Sequence, residues 1–169
     1  MKTLYLLRHA KSSRDDTSRD DTSWADRDRP LDARGERDAA KLGQRWSKRH
    51  GKPDLILSSP AVRALATANI VAEALGYKAR NIEFDARLYA ATAATLTSVI
   101  EALDGKLDRV MLVGHNPGFA ELVHHFDSAI THMPTCSLAE FTFDARTWSG
   151  IGHARPARTT FDSPKQSSA

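Results

Sequence analysis

The sequence is poor in cysteine, because Cys136 is the only one among its 169 residues. An intrachain disulfide is therefore excluded, which favours a reducing compartment and makes the cytoplasm the expected location. A cysteine-based phosphatase is also excluded, since that chemistry needs an arginine six residues after the thiolate and the chain has Thr142 there. Cys136 is expected to be a partly buried, unreactive thiol.

Long apolar runs are also missing. The apolar start at residues 1–7 is followed at once by Arg8 and His9, so it is too short for the core of a signal peptide, and it has no small-residue cleavage site. No stretch approaches the ~20 apolar residues that a membrane-spanning helix requires. A membrane is therefore not an expected partner.

Aromatic residues make up only 7% of the chain, and Trp24, Trp46 and Trp148 lie far apart. The 24 basic and 21 acidic residues give a net charge of +3, with the arginines spread along the sequence. Nucleic acid is not an expected partner, because its binding needs a clustered basic stripe with aromatics. The hydrophobic share of 41% and charged share of 27% are typical of a soluble globular protein.

Hydrophobic periodicity predicts strands and helices in alternation along the chain. Strands are predicted at residues 3–8, 55–57, 82–84, 110–113 and 138–143, and helices at residues 33–49, 60–75, 92–103 and 117–126. Ser59 and Asn116 are the expected N-caps of two of these helices, each followed by proline at the first helical position. Residues 11–32 are polar without an apolar period, which predicts a long surface loop.

This alternation predicts an α/β fold, a three-layer sandwich with a mostly parallel central sheet flanked by helices. Residues 1–154 are expected to form a single domain. The last predicted strand alternates apolar and polar residues, which is typical of a half-exposed strand. Residues 155–169 are polar and contain proline and serine, so they are expected to form a loosely held tail.

A polar cluster directly follows each of three predicted buried strands. The clusters lie in residues 7–10, 57–63 and 113–118. In open α/β sheets, ligands bind outside the carboxyl ends of the strands, so parallel neighbours would bring the three clusters to one edge. That edge would hold two histidines, two arginines and two helix N-termini.

Such a pocket suits a phosphate group. Helix N-termini attract anions, and the Arg63 side chain can reach back from the first turn of its helix to bind phosphate oxygens as a planar fork. Neutral His9 can act as the nucleophile on phosphorus, and His115 can donate a hydrogen bond to a phosphoryl oxygen.

Three more histidines lie towards the C-terminal part of the chain, at His124, His125 and His132. Adjacent histidines on a helix point in different directions, and no cysteine or carboxylate lies at a ligand spacing from them. The sequence therefore predicts neither a metal site nor a cofactor.

The chain resembles the histidine phosphatase superfamily, the phosphoglycerate mutase-like group. The segments that carry the resemblance are Arg8-His9, Ser59-Pro60-x-x-Arg63 and Gly114-His115-Asn116-Pro117-Gly118. Its small size, together with Arg29-Pro30-Leu31, Gly35 and Leu88-Tyr89, is similar to the small SixA-type branch, which includes phosphohistidine phosphatases. The resemblance covers about residues 3–143.

The resemblance implies a phosphoglycerate mutase-like fold and a metal-independent reaction. By this likeness, His9 is the phosphorylated nucleophile, Arg8 and Arg63 hold the phosphate, and His115 is the second histidine of the pocket. The resemblance to that branch implies that the substrate is phosphohistidine on a protein, which in turn implies a role in signal transduction.

One segment departs from the larger relatives, which carry a proton-donating glutamate after the third strand. Here that segment is Leu88-Tyr89-Ala90-Ala91, with no acid. An alkyl phosphate ester needs its leaving group protonated, whereas a phosphoramidate depends less on a dedicated acid. The departure favours a phosphohistidine substrate, although Asp15 or Asp28 of the loop could fold over the site and supply an acid.

Two alternatives stay open. The enzyme could act on small phosphomonoesters or sugar phosphates, if a loop aspartate protonates the leaving group. A module of another class would bind phosphate for regulation without turnover, although the intact pair of His9 and His115 argues against it.

Overall fold

The computed structural model describes residues 1–13 and 25–164, and within them six strands and four helices alternate. The strands are β1 (Lys2–Arg8), β2 (Leu55–Ser58), β3 (Glu83–Phe84), β4 (Arg109–Gly114), β5 (Leu138–Phe143) and β6 (Arg158–Asp162). The helices are α1 (Ala33–Arg49), α2 (Val62–Leu75), α3 (Ala93–Glu101) and α4 (Gly118–Phe126).

The strands form one sheet in the order β3-β2-β4-β1-β5-β6. Strands β1, β2, β3 and β4 run parallel, while β5 is antiparallel to both of its neighbours. Parallel neighbours need crossover connections, which the helices between them provide. The predicted α/β fold is confirmed, with a mixed sheet flanked by helices.

The sheet separates two hydrophobic cores. Along β1, Leu4 and Leu6 point to the core that contains residues of α3 and α4. Tyr5 and Leu7 alternate with them and point to the core that contains residues of α1 and α2. Because both faces of the strand are covered, β1 has a continuous apolar sequence. This burial fixes the strand and therefore the point at which the chain leaves the sheet.

The C-terminal part of the chain differs from the prediction. The sequence predicts a loosely held tail over residues 155–169, but Arg158–Asp162 is strand β6 and pairs with β5 along its length, while residues 165–169 lie outside the described part of the chain. The half-exposed character expected of β5 is also wrong. Glu140 is only 6% exposed, and the hydroxyl of Thr160 on β6 donates to its carboxylate at 3.0 Å. Pairing with β6 accounts for the first difference, and β6 together with His50 at the end of α1, whose Nδ1 lies 3.6 Å from the Glu140 carboxylate, covers Glu140.

Two helices begin later than predicted. Helix α2 begins at Val62, and helix α4 begins at Gly118, so neither Ser59 nor Asn116 is the N-cap residue. The Ser59 hydroxyl accepts from the backbone N–H of Ala61 at 3.2 Å, before the helix has started. Each helix start is thus preceded by a short non-helical segment, a bend before α2 and a turn at Asn116-Pro117 before α4, and these two segments form part of the candidate site.

Candidate active site

Three chain segments leave the sheet side by side at the carboxyl ends of β1, β2 and β4. Strand β4 lies between the other two. The backbone N–H of His9 donates to the carbonyl of Gly114 at 3.0 Å, and that of Ser59 donates to the carbonyl of Val113 at 2.9 Å. These hydrogen bonds continue the strand pairing of β4 one residue beyond the ends of β1 and β2, so His9, Ser59 and His115 lie together at this edge of the sheet.

The ring of His9 is buried and held in one tautomer. Its Nδ1 lies 2.7 Å from the carbonyl oxygen of Ala10. A carbonyl oxygen only accepts, so Nδ1 carries the proton and the lone pair lies on Nε2. The backbone carbonyl of His9 also accepts from the N–H of Cys136 at 3.0 Å. The chain therefore presents a fixed imidazole with a nucleophilic nitrogen.

The ring of His115 lies beside that of His9, with the two centroids 5.2 Å apart. Its Nε2 is 2.7 Å from the hydroxyl of Ser59, while its Nδ1 is buried and has no hydrogen-bond partner among the described residues. Burial, followed by the neighbouring His9 and Arg63, lowers the pKa of His115 from 6.5 to about 3. His115 is therefore neutral at physiological pH.

Arg63 is 5% exposed and reaches back from the first turn of α2, as the sequence predicts. Its two Nη atoms donate to Asp26, one to the backbone carbonyl at 2.6 Å and one to the carboxylate at 3.1 Å. Its Nε is buried and lacks a partner among the described residues. Asp26 thus fixes the guanidinium through its two Nη atoms and leaves the Nε–H without a partner among the described residues.

Asp26 was not among the acids singled out from the sequence. Its carboxylate also accepts from Arg29 at 2.7 Å and from the Tyr89 hydroxyl. Partial burial raises the pKa of Asp26, but the hydrogen bonds from Tyr89 and Arg29 and the charge of Arg63 outweigh it and hold that pKa well below its usual range. Asp26 is therefore an ionised side chain of the pocket.

The sequence singled out two other acids of this stretch, Asp15 and Asp28. Asp28 is exposed to solvent, and Asp15 lies outside the described residues. Residues 11–32 contain several aspartates, and nothing in their spacing distinguishes Asp26 from the others. The expected surface character of this stretch is also wrong for Ser12 and Arg29, which are both buried.

Arg8 lies at the same strand end as His9. One of its Nη atoms donates to the carbonyl of Met133 at 3.0 Å, and the side-chain amide of Asn116 donates to the same carbonyl at 2.9 Å. The charge of Arg8 also contributes to the lowered pKa of His115. The structure therefore brings Arg8, Arg63 and both predicted histidines to one edge of the sheet.

Cys136 lies behind this edge and is fully buried. Burial raises the pKa of its thiol to about 12, so the sulfur is protonated at physiological pH.

Among the described residues, no group of three or more histidine, cysteine or acidic side chains could hold a metal ion. In the same part of the chain, no helix has the length and apolar character needed to cross a bilayer.

The arrangement is suited to bind an anion with several acceptor oxygens. Buried polar atoms are nearly always hydrogen-bonded, so the unpartnered Arg63 Nε and His115 Nδ1 mark a place for a missing acceptor. A tetrahedral oxyanion carries several oxygens that could supply such acceptors. The lone pair on His9 Nε2 supplies a nucleophile in the same pocket.

The lowered pKa of His115 leads to a pH prediction. The unfolded ring has a pKa near 6.5 and the folded ring one of about 3, so the unfolded chain takes up this proton first as the pH falls. The contribution of neutral His115 to stability is therefore complete above pH 6.5 and declines towards pH 3. Between pH 7 and 4.5, we expect the free energy of unfolding to fall by about 2 kcal/mol less in His115→Asn than in the wild type.

Urea unfolding of both proteins at the two pH values measures this difference. Because burial also lowers the pKa of His50, the wild type loses stability from more than one group, and only the difference between the proteins isolates His115. Parallel losses of stability in the two proteins would contradict the prediction.

Comparison with known proteins agrees with this geometry. A model of the histidine phosphatase superfamily (branch 1) matches residues 4–91. An uncharacterized chloroplastic protein of Arabidopsis thaliana is 34% identical over an alignment of 155 residues that covers 87% of this chain and 69% of that protein.

Solved structures with a similar fold include a protein of Agrobacterium tumefaciens assigned as the phosphohistidine phosphatase SixA. It is 29% identical, with a TM-score of 0.78 over 96% of this chain and 98% of that one. A mycobacterial glucosyl-3-phosphoglycerate phosphatase is 19% identical, with a TM-score of 0.68 over 96% and 98% of the two chains. The second likeness shows the fold alone.

Proposed function

The chain belongs to the histidine phosphatase superfamily, and from that premise we propose that it dephosphorylates phosphohistidine on a protein through a phosphorylated His9. The observation that carries the proposal is the pair of unpartnered buried atoms, Arg63 Nε and His115 Nδ1, beside a histidine whose lone pair lies on Nε2. A phosphoryl group bound by those two atoms would lie within reach of the nucleophile.

Binding of the phosphoryl group depends both on positive charge and on N–H donors that already point in a fixed direction. Arg63 supplies its Nε–H while Asp26 holds both Nη atoms, so the guanidinium does not need to reorganise when the anion arrives. His115 supplies an N–H from an uncharged ring, and Arg8 adds positive charge at the strand end. These groups stabilise the negative charge that the equatorial oxygens carry in the transition state.

Transfer then proceeds in two steps. The lone pair of His9 Nε2 forms a bond to phosphorus while the phosphorus–nitrogen bond of the substrate breaks, and the departing imidazole keeps that electron pair and takes a proton from solvent. Water next attacks phosphorus, the bond to Nε2 breaks with its electrons returning to the ring, and the proton lost by water goes to solvent. Inorganic phosphate and neutral His9 result.

The leaving group favours phosphohistidine over an alkyl ester. The structure puts Tyr89, not an acid, beside His115, with the two ring centroids 5.5 Å apart. The nearby acid is Asp26, which accepts a hydrogen bond from Tyr89, but its low pKa keeps it ionised and unable to donate a proton. An alkoxide leaves poorly without a donor, whereas an imidazole does not need a carboxylic acid.

A second candidate is a phosphatase of small phosphomonoesters or sugar phosphates. The observation in its favour is that an acid, Asp26, does lie in the pocket. A mycobacterial protein of the same fold acts on glucosyl-3-phosphoglycerate. A phosphate-binding regulatory module is the third reading, and the nucleophilic tautomer of His9 argues against it.

The substrate is tested by comparing kcat/KM on a phosphohistidine peptide with kcat/KM on glycerol phosphate. We expect the peptide to be preferred by on the order of 10²-fold, because only the ester needs protonation of its leaving group. Asp26→Asn should lower both rates together, since it loosens Arg63 in both reactions, and should keep their ratio. A preference for the ester that is lost in Asp26→Asn supports the second candidate instead.

The cytoplasm and a role in signal transduction belong to the same proposal. A protein substrate carrying phosphohistidine would link the enzyme to phosphate relay between proteins. The single buried cysteine supports a reducing compartment, although the Arabidopsis relative is chloroplastic by name.

A further inference from the structure

Ser59 is fully buried at the end of β2, and its hydroxyl contacts two groups. The backbone N–H of Ala61 donates to the hydroxyl oxygen at 3.2 Å, and Nε2 of His115 lies 2.7 Å from the same oxygen. A serine hydroxyl has one proton to donate and two lone pairs to accept with. Since Ala61 uses one lone pair, the contact with His115 decides where the hydroxyl proton goes.

Two tautomers of neutral His115 can be compared. If Nε2 carried the proton, it would donate to Ser59, and the hydroxyl proton and the lone pair on Nδ1 would both lack a partner among the described residues. If Nδ1 carries the proton, the hydroxyl donates to Nε2 and only the Nδ1–H remains unpartnered. The second arrangement leaves fewer buried polar groups unsatisfied, which each cost free energy.

The position of the proton on His115 also determines how the ring interacts with a bound anion. A lone pair on Nδ1 repels a phosphoryl oxygen, whereas an N–H on Nδ1 donates to it. Because His115 is uncharged, it has a single N–H, and its position determines whether the ring attracts or repels the substrate.

We propose that Ser59 is a positioning residue, whose hydroxyl donates to Nε2 of His115 and so holds this ring as the Nδ1–H tautomer that donates to the substrate phosphoryl group. The role of the N–H towards substrate rests on the proposed function. The assignment of the tautomer does not, because it follows from the contacts of Ser59 in the free protein.

The two histidines of the pocket then share a tautomer and use opposite nitrogens. His9 keeps its proton on Nδ1 through the carbonyl of Ala10 and presents the lone pair of Nε2. His115 keeps its proton on Nδ1 through Ser59 and presents that N–H. The backbone carbonyl of Ala10 thus fixes the tautomer of the nucleophile His9, and the hydroxyl of Ser59 fixes the tautomer of the anion-binding ring of His115.

Nitrogen NMR of the full chain, labelled with ¹⁵N-histidine, tests the tautomer directly at pH 7. We expect the wild type to show His115 protonated on Nδ1 and Ser59→Ala to show a population protonated on Nε2. Comparison with His115→Asn assigns the signals. A wild-type spectrum with the proton on Nε2 overturns the proposal, even where no serine variant folds, and so does an unchanged tautomer in a folded Ser59→Ala.

Ser58 offers a matched control. It is buried next to Ser59, and its hydroxyl donates to the backbone carbonyl of Ser59 at 2.9 Å. Ser58→Ala removes a buried hydroxyl of the same size without removing the contact with His115. We expect Ser58→Ala to leave the His115 tautomer unchanged, and an equal shift in both variants overturns the proposal.

Kinetics give a second readout. We expect Ser59→Ala to lower kcat/KM for a phosphohistidine peptide by on the order of 10²-fold at pH 7. The loss should be confined to Ser59→Ala, because Ser58→Ala keeps the contact between Ser59 and His115. An equal loss in Ser58→Ala overturns the positioning role. Absence of turnover on every phosphorylated substrate, with the expected NMR result, contradicts the proposed function alone.

Discussion

Replacing His9 by alanine is expected to lower kcat on a phosphohistidine peptide by on the order of 10⁴-fold or more. The variant keeps the anion-binding groups but lacks the atom that attacks phosphorus. Rapid acid-free quenching with labelled substrate should show a phospho-enzyme in the wild type and none in His9→Ala. The label should survive alkali and be released by acid, as a phosphorus–nitrogen bond is.

His153→Ala is the matched control, since His153 is an exposed histidine beside His125 and Phe126, at the opposite end of α4 from the one that begins in the pocket. We expect it to retain wild-type turnover and labelling. Wild-type turnover in His9→Ala would falsify the mechanism, whatever the substrate. Labelling that persists in His9→Ala would place the covalent intermediate on another residue.

Arg63→Ala should produce the second large effect, a fall in kcat/KM on the order of 10³-fold. The change removes a buried guanidinium that donates to the phosphoryl group through Nε. It also leaves the Asp26 carboxylate without one of its cationic partners, which adds repulsion towards the incoming anion. Arg63→Lys keeps the charge but loses the planar fork, so we expect only a partial recovery.

The control for Arg63 is Arg87→Ala, since Arg87 is an exposed arginine paired with Asp85 at 2.6 Å. It should change kcat/KM by less than about twofold, as surface ion pairs contribute little. A double-mutant cycle then examines Asp26. If Asp26 acts through Arg63, Asp26→Asn should have little further effect in the Arg63→Ala background. Equal losses in Arg63→Ala and Arg87→Ala would show that only overall charge matters.

Much of the pocket could be predicted from the sequence because it depends on local patterns. A buried strand that ends in a polar cluster is visible in residues 7–10 and again in residues 113–118. The order of strands and helices then indicates which strand ends meet. His9, Arg63 and His115 come together for this reason, and the resemblance to a known family points to the same residues.

Other features depend on contacts that no local pattern contains. Asp26 reaches Arg63 and Tyr89 across separations of 37 and 63 residues, and its neighbours in the sequence include other aspartates of equal chemistry. The tautomer of His115 depends on Ser59, 56 residues away. Strand β6 has one large apolar residue, Phe161, so its own sequence does not indicate a strand. It forms because it pairs with the otherwise open edge of β5.

The pairing of β6 has a practical consequence for where the chain can be shortened. Ending a protein at residue 154, the boundary that the sequence suggests, would remove the outer partner of Leu138–Phe143. A buried strand would then become a bare edge, able to recruit strands from other molecules and to promote aggregation. Expression boundaries for this domain should therefore extend at least to Asp162.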